Sequence, residues 1–235
     1  MSQSPVGKTV LAAALVAALL EWVPWLHWPA YPFRLLLTLV HELSHGVMAL
    51  VTGGHFRNFV VFADGSGLAY TAGGWRWAVI AAGYLGAAAF GAVLILLGRH
   101  PRSSRWALGV VGVSMVLLSL RYGVPSLLTE HVLAGLLALV TGCLLGGALL
   151  WVALKAGGMA TVFTLHLVAF MGAITATQDL LTLIGLSSHA TVLATDARSM
   201  ADLTGLPAMF WAILWAFFSA LVMVLAARFA WRSRR

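Results

Sequence analysis

His41 and His45 stand four residues apart, with Glu42 directly after the first, in the run Thr38-Leu39-Val40-His41-Glu42-Leu43-Ser44-His45-Gly46. On a helix, side chains at this spacing project from one face about one turn apart, so the two imidazoles can converge on a single zinc ion. Glu42 reaches a water on that metal without being a ligand itself. Its role is general base, taking a proton from water whose pKa zinc lowers from 15.7 to about 7. Chance is a poor explanation. A chain of 235 residues holding 8 His gives roughly 0.003 random matches to His-Glu-x-x-His.

A catalytic zinc takes three protein ligands and keeps one position for water. Asp and Glu together number 7 in the chain, which makes elimination useful. Glu42 is the base, Glu21 and Glu130 lie near the ends of apolar runs, and Asp64 belongs to a turn. Asp179, Asp196 and Asp202 remain. Asp179 lies far along an apolar segment, where an unpaired carboxylate is costly, so it is the expected third ligand. Asp196 is the alternative, because its polar stretch could fold back over the site. His166 lies 13 residues before Asp179, some 140° away around a helix at 100° per residue, and reads as a packed or hydrogen-bonded histidine. His27, His55, His100, His131 and His189 lie near segment ends, where interfacial exposure accounts for them.

These groups must be carried by membrane helices. The chain is 61% hydrophobic and 9% charged, against about 25% charged in soluble domains, so a water-soluble globule is excluded. Apolar segments near 8–26, 33–53, 76–98, 105–121, 130–154, 158–186 and 207–230 are seven candidate crossings. The first carries Glu21 and Pro24 and could be an interfacial or tilted helix, which leaves six. Residues 1–235 then form a single membrane-embedded domain, an all-α polytopic fold without room for a second, soluble one. The net charge of +7 comes from basic residues set one to three at a time between apolar runs. That pattern suits membrane topology and lipid headgroups, not nucleic acid.

Two intervening stretches are more than connections. Residues 54–74 place β-branched and aromatic residues on both sides of Asp64-Gly65, a β-hairpin pattern. Such a hairpin either lies at the membrane surface or offers an edge strand to an extended substrate. Residues 187–206 are too polar to span and read as a loop or short interfacial helix. Ala82 and Gly86, then Ala87 and Gly91, are small residues at four-residue spacing, which suits close helix packing. The alternative for them is the lining of a substrate groove. A helix beginning near Phe33 puts His41 about 12 Å along it, within a hydrocarbon layer about 30 Å thick. Ionisable groups at that depth must face a protein interior.

The sequence resembles the site-2 protease type of intramembrane zinc metallopeptidase, in its compact bacterial branch. The likeness is carried by His41-Glu42-Leu43-Ser44-His45-Gly46, the hairpin at 54–74, Ala82-Gly83-Tyr84-Leu85-Gly86 and Gln178-Asp179-Leu180-Leu181. It implies a multi-pass cell-membrane protein with Zn2+ held by two histidines and an aspartate. The implied reaction is hydrolysis of a peptide bond within or beside the bilayer, with a membrane-protein or membrane-adjacent peptide as substrate. The Asn, Pro and Leu-Asp-Gly that often surround the family's third ligand do not flank Asp179. The alternative function is a transporter or channel that uses His41, Glu42, His45 and Asp179 as a proton or metal-ion relay.

Overall fold

The computed structural model describes residues 5–188 and 195–232. In chain order the elements are α1 (Pro5–Trp22), α2 (His27–Val51), β1 (His55–Val61), β2 (Gly67–Ala72), α3 (Arg76–Leu97), α4 (Pro101–Leu118), α5 (Val132–Lys155), α6 (Gly158–Ser188), α7 (Asp196–Thr204) and α8 (Ala208–Arg232). Seven helices among the described residues are long and apolar enough to cross a membrane, the fourth running from Pro101 through a π turn and a 3-10 turn to Leu128. The expected all-α polytopic architecture with one hairpin is present.

The helix bearing the histidines starts earlier than its apolar segment. Pro29 and Pro32 mark a boundary in the sequence, yet α2 begins at His27 and runs through both. A proline in the first turn removes an N–H that has no helical partner anyway, and its fixed φ suits the helix. Pro32, further in, leaves one carbonyl of the preceding turn without its usual donor. His41 is therefore about 21 Å from the start of α2 at 1.5 Å per residue, deeper along the helix than the sequence suggested.

The hairpin forms where the pattern placed it, and the Asp64-Gly65 corner shows why. Gly65 has φ 89°, a conformation open to glycine at little cost. The Asp64 carboxylate accepts from the Ser66 amide at 2.9 Å and from the Ser66 hydroxyl at 2.7 Å. These bonds hold the Asp64 carboxyl below the usual carboxylate range. The strands pair antiparallel, with Phe59 opposite Ala69 and Val61 opposite Gly67, and a bulge at Arg57.

The hairpin is built into the helix bundle. Phe59, Val60 and Val61 are fully buried, and Phe56 stacks on Tyr122 at 4.2 Å. Gly46 of α2 gives the Phe56 ring its seat, because a methyl there would overlap it. Backbone carbonyls inside an apolar bundle need donors. The Ser126 hydroxyl supplies Phe59 O at 2.6 Å, Tyr31 supplies Ala63 O at 2.8 Å and Thr38 supplies Gly65 O at 2.6 Å. The hairpin thus lies back along α2, with its turn fastened near the helix's N-terminal half. The reading of a plain surface hairpin is corrected accordingly.

One core joins α2, β1, α3, α4, α5 and α6 through Leu35, Leu39, Leu43, Phe59, Leu94, Leu108, Leu149 and Leu165. A second cluster joins α6, α7 and α8 through Leu180, Leu183, Ala197, Met200 and Trp215. Helix α1 buries only Ala13 and Ala17 and lies beside α6 in the same direction, with Thr9 at Met159 and Glu21 at Gln178.

Candidate active site

The two histidines leave α2 on one face, as their spacing requires. Their ring centroids are 4.8 Å apart at 72°. Each ring is held from outside α2. His45 Nδ1 donates to Val79 O of α3 at 2.7 Å, which orients the ring with Nε2 toward the site. His41 meets the edge of Tyr84 at 4.7 Å, and Tyr84 stacks on Trp215 of α8 at 5.7 Å. Space in front of both Nε2 atoms exists because residue 83 is glycine: a methyl there would overlap both His41 Nε2 and His45 Nε2.

The third group comes from α7. Asp196 Oδ2 lies 3.1 Å from His41 Nε2 and 3.3 Å from His45 Nε2. One ligand atom from each of the three residues lies within 4.8 Å of the others. Asp196 is the first residue of its helix, and the Thr195 hydroxyl caps that helix by accepting from Arg198 N. Ala197 and Met200 bury the apolar face of α7 against α6 and α8, while Arg198 and Asp202 pair at 3.1 Å on its exposed side. Gly205, with φ 76°, ends the helix. Burial raises the proton affinity of the Asp196 carboxyl, but hydrogen bonds and charge from His41 and His45 outweigh it and hold the group below the usual carboxylate range.

Asp179 faces the same cavity, about 450 Å³ in volume, but lies outside the ligand group. It projects from α6 within electrostatic reach of His41 and Arg34. The structure thus brings Asp196, the alternative acid, to the two imidazoles, where Asp179 was expected. The cost of an acid in an apolar helix marks Asp179 as a group in need of a polar surrounding, and the cavity provides one. Convergence with two imidazoles is a separate requirement, met by the short helix that folds back. A signal for it was present in the sequence: a capping Thr195, then Asp196, then apolar residues at 197 and 200 on one face.

Glu42 is 5% exposed and accepts a hydrogen bond from the backbone of Ala69 on β2. Strand β2 can lie this close because Gly67 has no side chain; a Cβ there would come within 2.6 Å of Glu42 Oε1 and 2.8 Å of Thr38 Cγ2. Gly65, Gly67, Ala69 and Thr71 line the cavity together with His41, Glu42 and His45. Among the described residues the sheet has the order β1-β2, so the second edge of β2 carries no strand.

The remaining candidates are elsewhere. His166 is buried and donates through Nδ1 to Val162 O at 2.9 Å, the packed role expected of it. His27, His55 and His100 are exposed and His131 is half-buried. His189 lies outside the described residues. Gly86 faces Ser44 and Gly91 faces Met223, so both serve close helix packing.

A family model described as Peptidase M50B-like matches residues 11–226. The chain belongs to that family. No curated protein and no solved structure matches the chain. Membership together with seven long apolar helices makes the M50B-like chain a multi-pass membrane protein of the metalloprotease class. Its donor set fits a catalytic metal: two imidazole nitrogens and a carboxylate oxygen converge, one imidazole is oriented through its other nitrogen, and a glycine leaves the space before them open.

Proposed function

We propose that this protein is an intramembrane zinc endopeptidase, cutting peptide bonds in or beside membrane-spanning segments. His41, His45 and Asp196 hold the zinc, and Glu42 is the general base. The observation that carries the reading is the juxtaposition of Glu42 with the His41–His45–Asp196 group in one cavity bordered by the open edge of β2. When bound, zinc supplies Lewis-acid polarisation of the scissile carbonyl and lowers the pKa of water to about 7.

The chain's own residues do the rest. Glu42, fixed by the Ala69 amide, takes a proton from the attacking water and returns it to the leaving amine. Tyr84 and the Val79 carbonyl keep the imidazoles in place, which holds the reacting groups in register. A helical substrate hides its carbonyls in its own hydrogen bonds, so it must unwind before attack. Unwinding frees backbone N–H and C=O groups, and the open edge of β2 can pair with them, laying an extended segment along the cavity. The bilayer is thus both solvent and the source of substrate. Membership of a peptidase family lends nothing to the ion-relay alternative.

The test is Glu42→Gln, assayed on membrane-segment reporters with zinc measured in the same preparations. Zinc stays near one per chain and cleavage falls by roughly 10²–10⁴-fold, the usual share of general acid–base catalysis. Cleavage at the wild-type rate, or ion flux without cleavage in the wild type, overturns the proposal.

A further inference from the structure

Trp22, Trp25 and Trp28 project from the junction of α1 and α2 and are 82%, 85% and 84% exposed. In a chain that spans a bilayer, tryptophans exposed in this way gather at headgroup level. Beside them is a second cavity of about 450 Å³, lined by Glu21, His27, Trp28, Tyr31, Arg34 and Ala63. None of these residues belongs to the zinc-site group. The cavity combines one anion, Glu21, with one permanent cation, Arg34, which also lies within electrostatic reach of Asp179 in the neighbouring cavity.

Its walls are tied to three parts of the fold. Glu21 accepts from Gln178 Nε2 of α6 through one carboxylate oxygen, and the Glu21 carbonyl oxygen lies 3.1 Å from His27 Nε2. Tyr31 fastens the hairpin through Ala63 O. A carboxylate accepts through both oxygens, so Glu21 can take a further donor, and Arg34 brings a planar set of N–H donors suited to phosphate.

We propose that this cavity binds the headgroup of a zwitterionic aminophospholipid, with the phosphate on Arg34 and the ammonium on Glu21. Charge complementarity selects this occupant. A purely anionic headgroup meets repulsion from Glu21, and a choline headgroup has no N–H to give that carboxylate. The exposed tryptophans beside the cavity suit a ligand that arrives from the bilayer. Because Ala63 belongs to the hairpin turn, the bound lipid abuts the same hairpin whose β2 edge borders the active site.

The experiment is native mass spectrometry of the full chain from bilayers holding equal parts of phosphatidylethanolamine, phosphatidylcholine and phosphatidylglycerol. The wild type retains phosphatidylethanolamine in preference to the other two. Glu21→Gln loses the preference for ethanolamine over choline. Arg34→Gln lowers retained lipid about tenfold, the scale of one charge-assisted hydrogen bond, and Arg34→Lys falls between it and the wild type. Circular dichroism serves as the check on folding in every variant, independent of lipid and of metal. Equal retention of the three lipids by the wild type, preference for phosphatidylglycerol, or unchanged retention in folded variants overturns the proposal. So does a changed KM for peptide reporters without a changed lipid profile, which would assign the cavity to substrate. The proposal does not rest on the peptidase reading, since retention of lipid is read without any cleavage.

Discussion

Asp179 and Asp196 face one cavity from two different kinds of element. Asp179 sits in α6, a 31-residue helix. Asp196 opens α7, a nine-residue helix held by a cap at one end, a glycine at the other and two buried side chains between. The long helix presents its acid to the cavity from the side, while the short helix folds back and sets its acid 3.1 Å and 3.3 Å from the imidazoles. An acid in an apolar segment therefore signals a polar surrounding, while the carboxylate that reaches the imidazoles of α2 comes from the short polar helix.

The comparison is broken most directly at Asp196. On the proposed function, replacing it with Ala removes one of three ligands, so the purified variant should lose its zinc and its cleavage should fall to background. Metal analysis and a reporter assay on the same sample check both. Full retention of zinc would return the third position to another residue.

A smaller effect is expected at Gly83. Gly83→Ala puts a methyl against both Nε2 atoms, and zinc affinity should fall about 10–100-fold, as when the residues supporting metal ligands are changed. Ala is the better helix former by about 1 kcal/mol, so α3 itself should persist. A chelator competition series measures the affinity and circular dichroism the helix. Unchanged affinity would mean that the imidazoles do not crowd α3 as described.

The smallest change belongs to Asp179. Asp179→Asn should keep the full zinc content, with cleavage within about tenfold of wild type, the scale of a single screened charge interaction of about 1 kcal/mol. Zinc lost in Asp179→Asn but kept in Asp196→Ala would reverse the assignment of the two acids.

Local chemistry explains what could be read directly. His41 and His45 are fixed relative to one another by helix geometry alone, and Glu42 follows from its place beside the first of them. The hairpin turn follows from Asp64, Gly65 and Ser66, which carry its hydrogen bonds and its positive φ within three residues. Apolar runs of about the length a bilayer requires identified the membrane helices, and α2 starts earlier than its apolar run because Pro29 is compatible with a helix's first turn and Pro32 is accommodated inside it.

What the sequence by itself determined about this protein is what depends on neighbours along the chain: two histidines on one helix face, the acid beside the first of them, the turn and the membrane-spanning helices. Tertiary structure alone decided the partner 151 residues beyond His45, the burial of β1, and the meeting of Gly83 with two histidines of another helix. Short-range spacing fixes directions on one helix, since each residue turns by about 100° and rises 1.5 Å. Which acid reaches those histidines depends on how α6, α7 and α8 pack, and that packing is settled by Leu180, Leu183, Met200 and Trp215 closing around Ala197. No local rule at Asp196 contains that information.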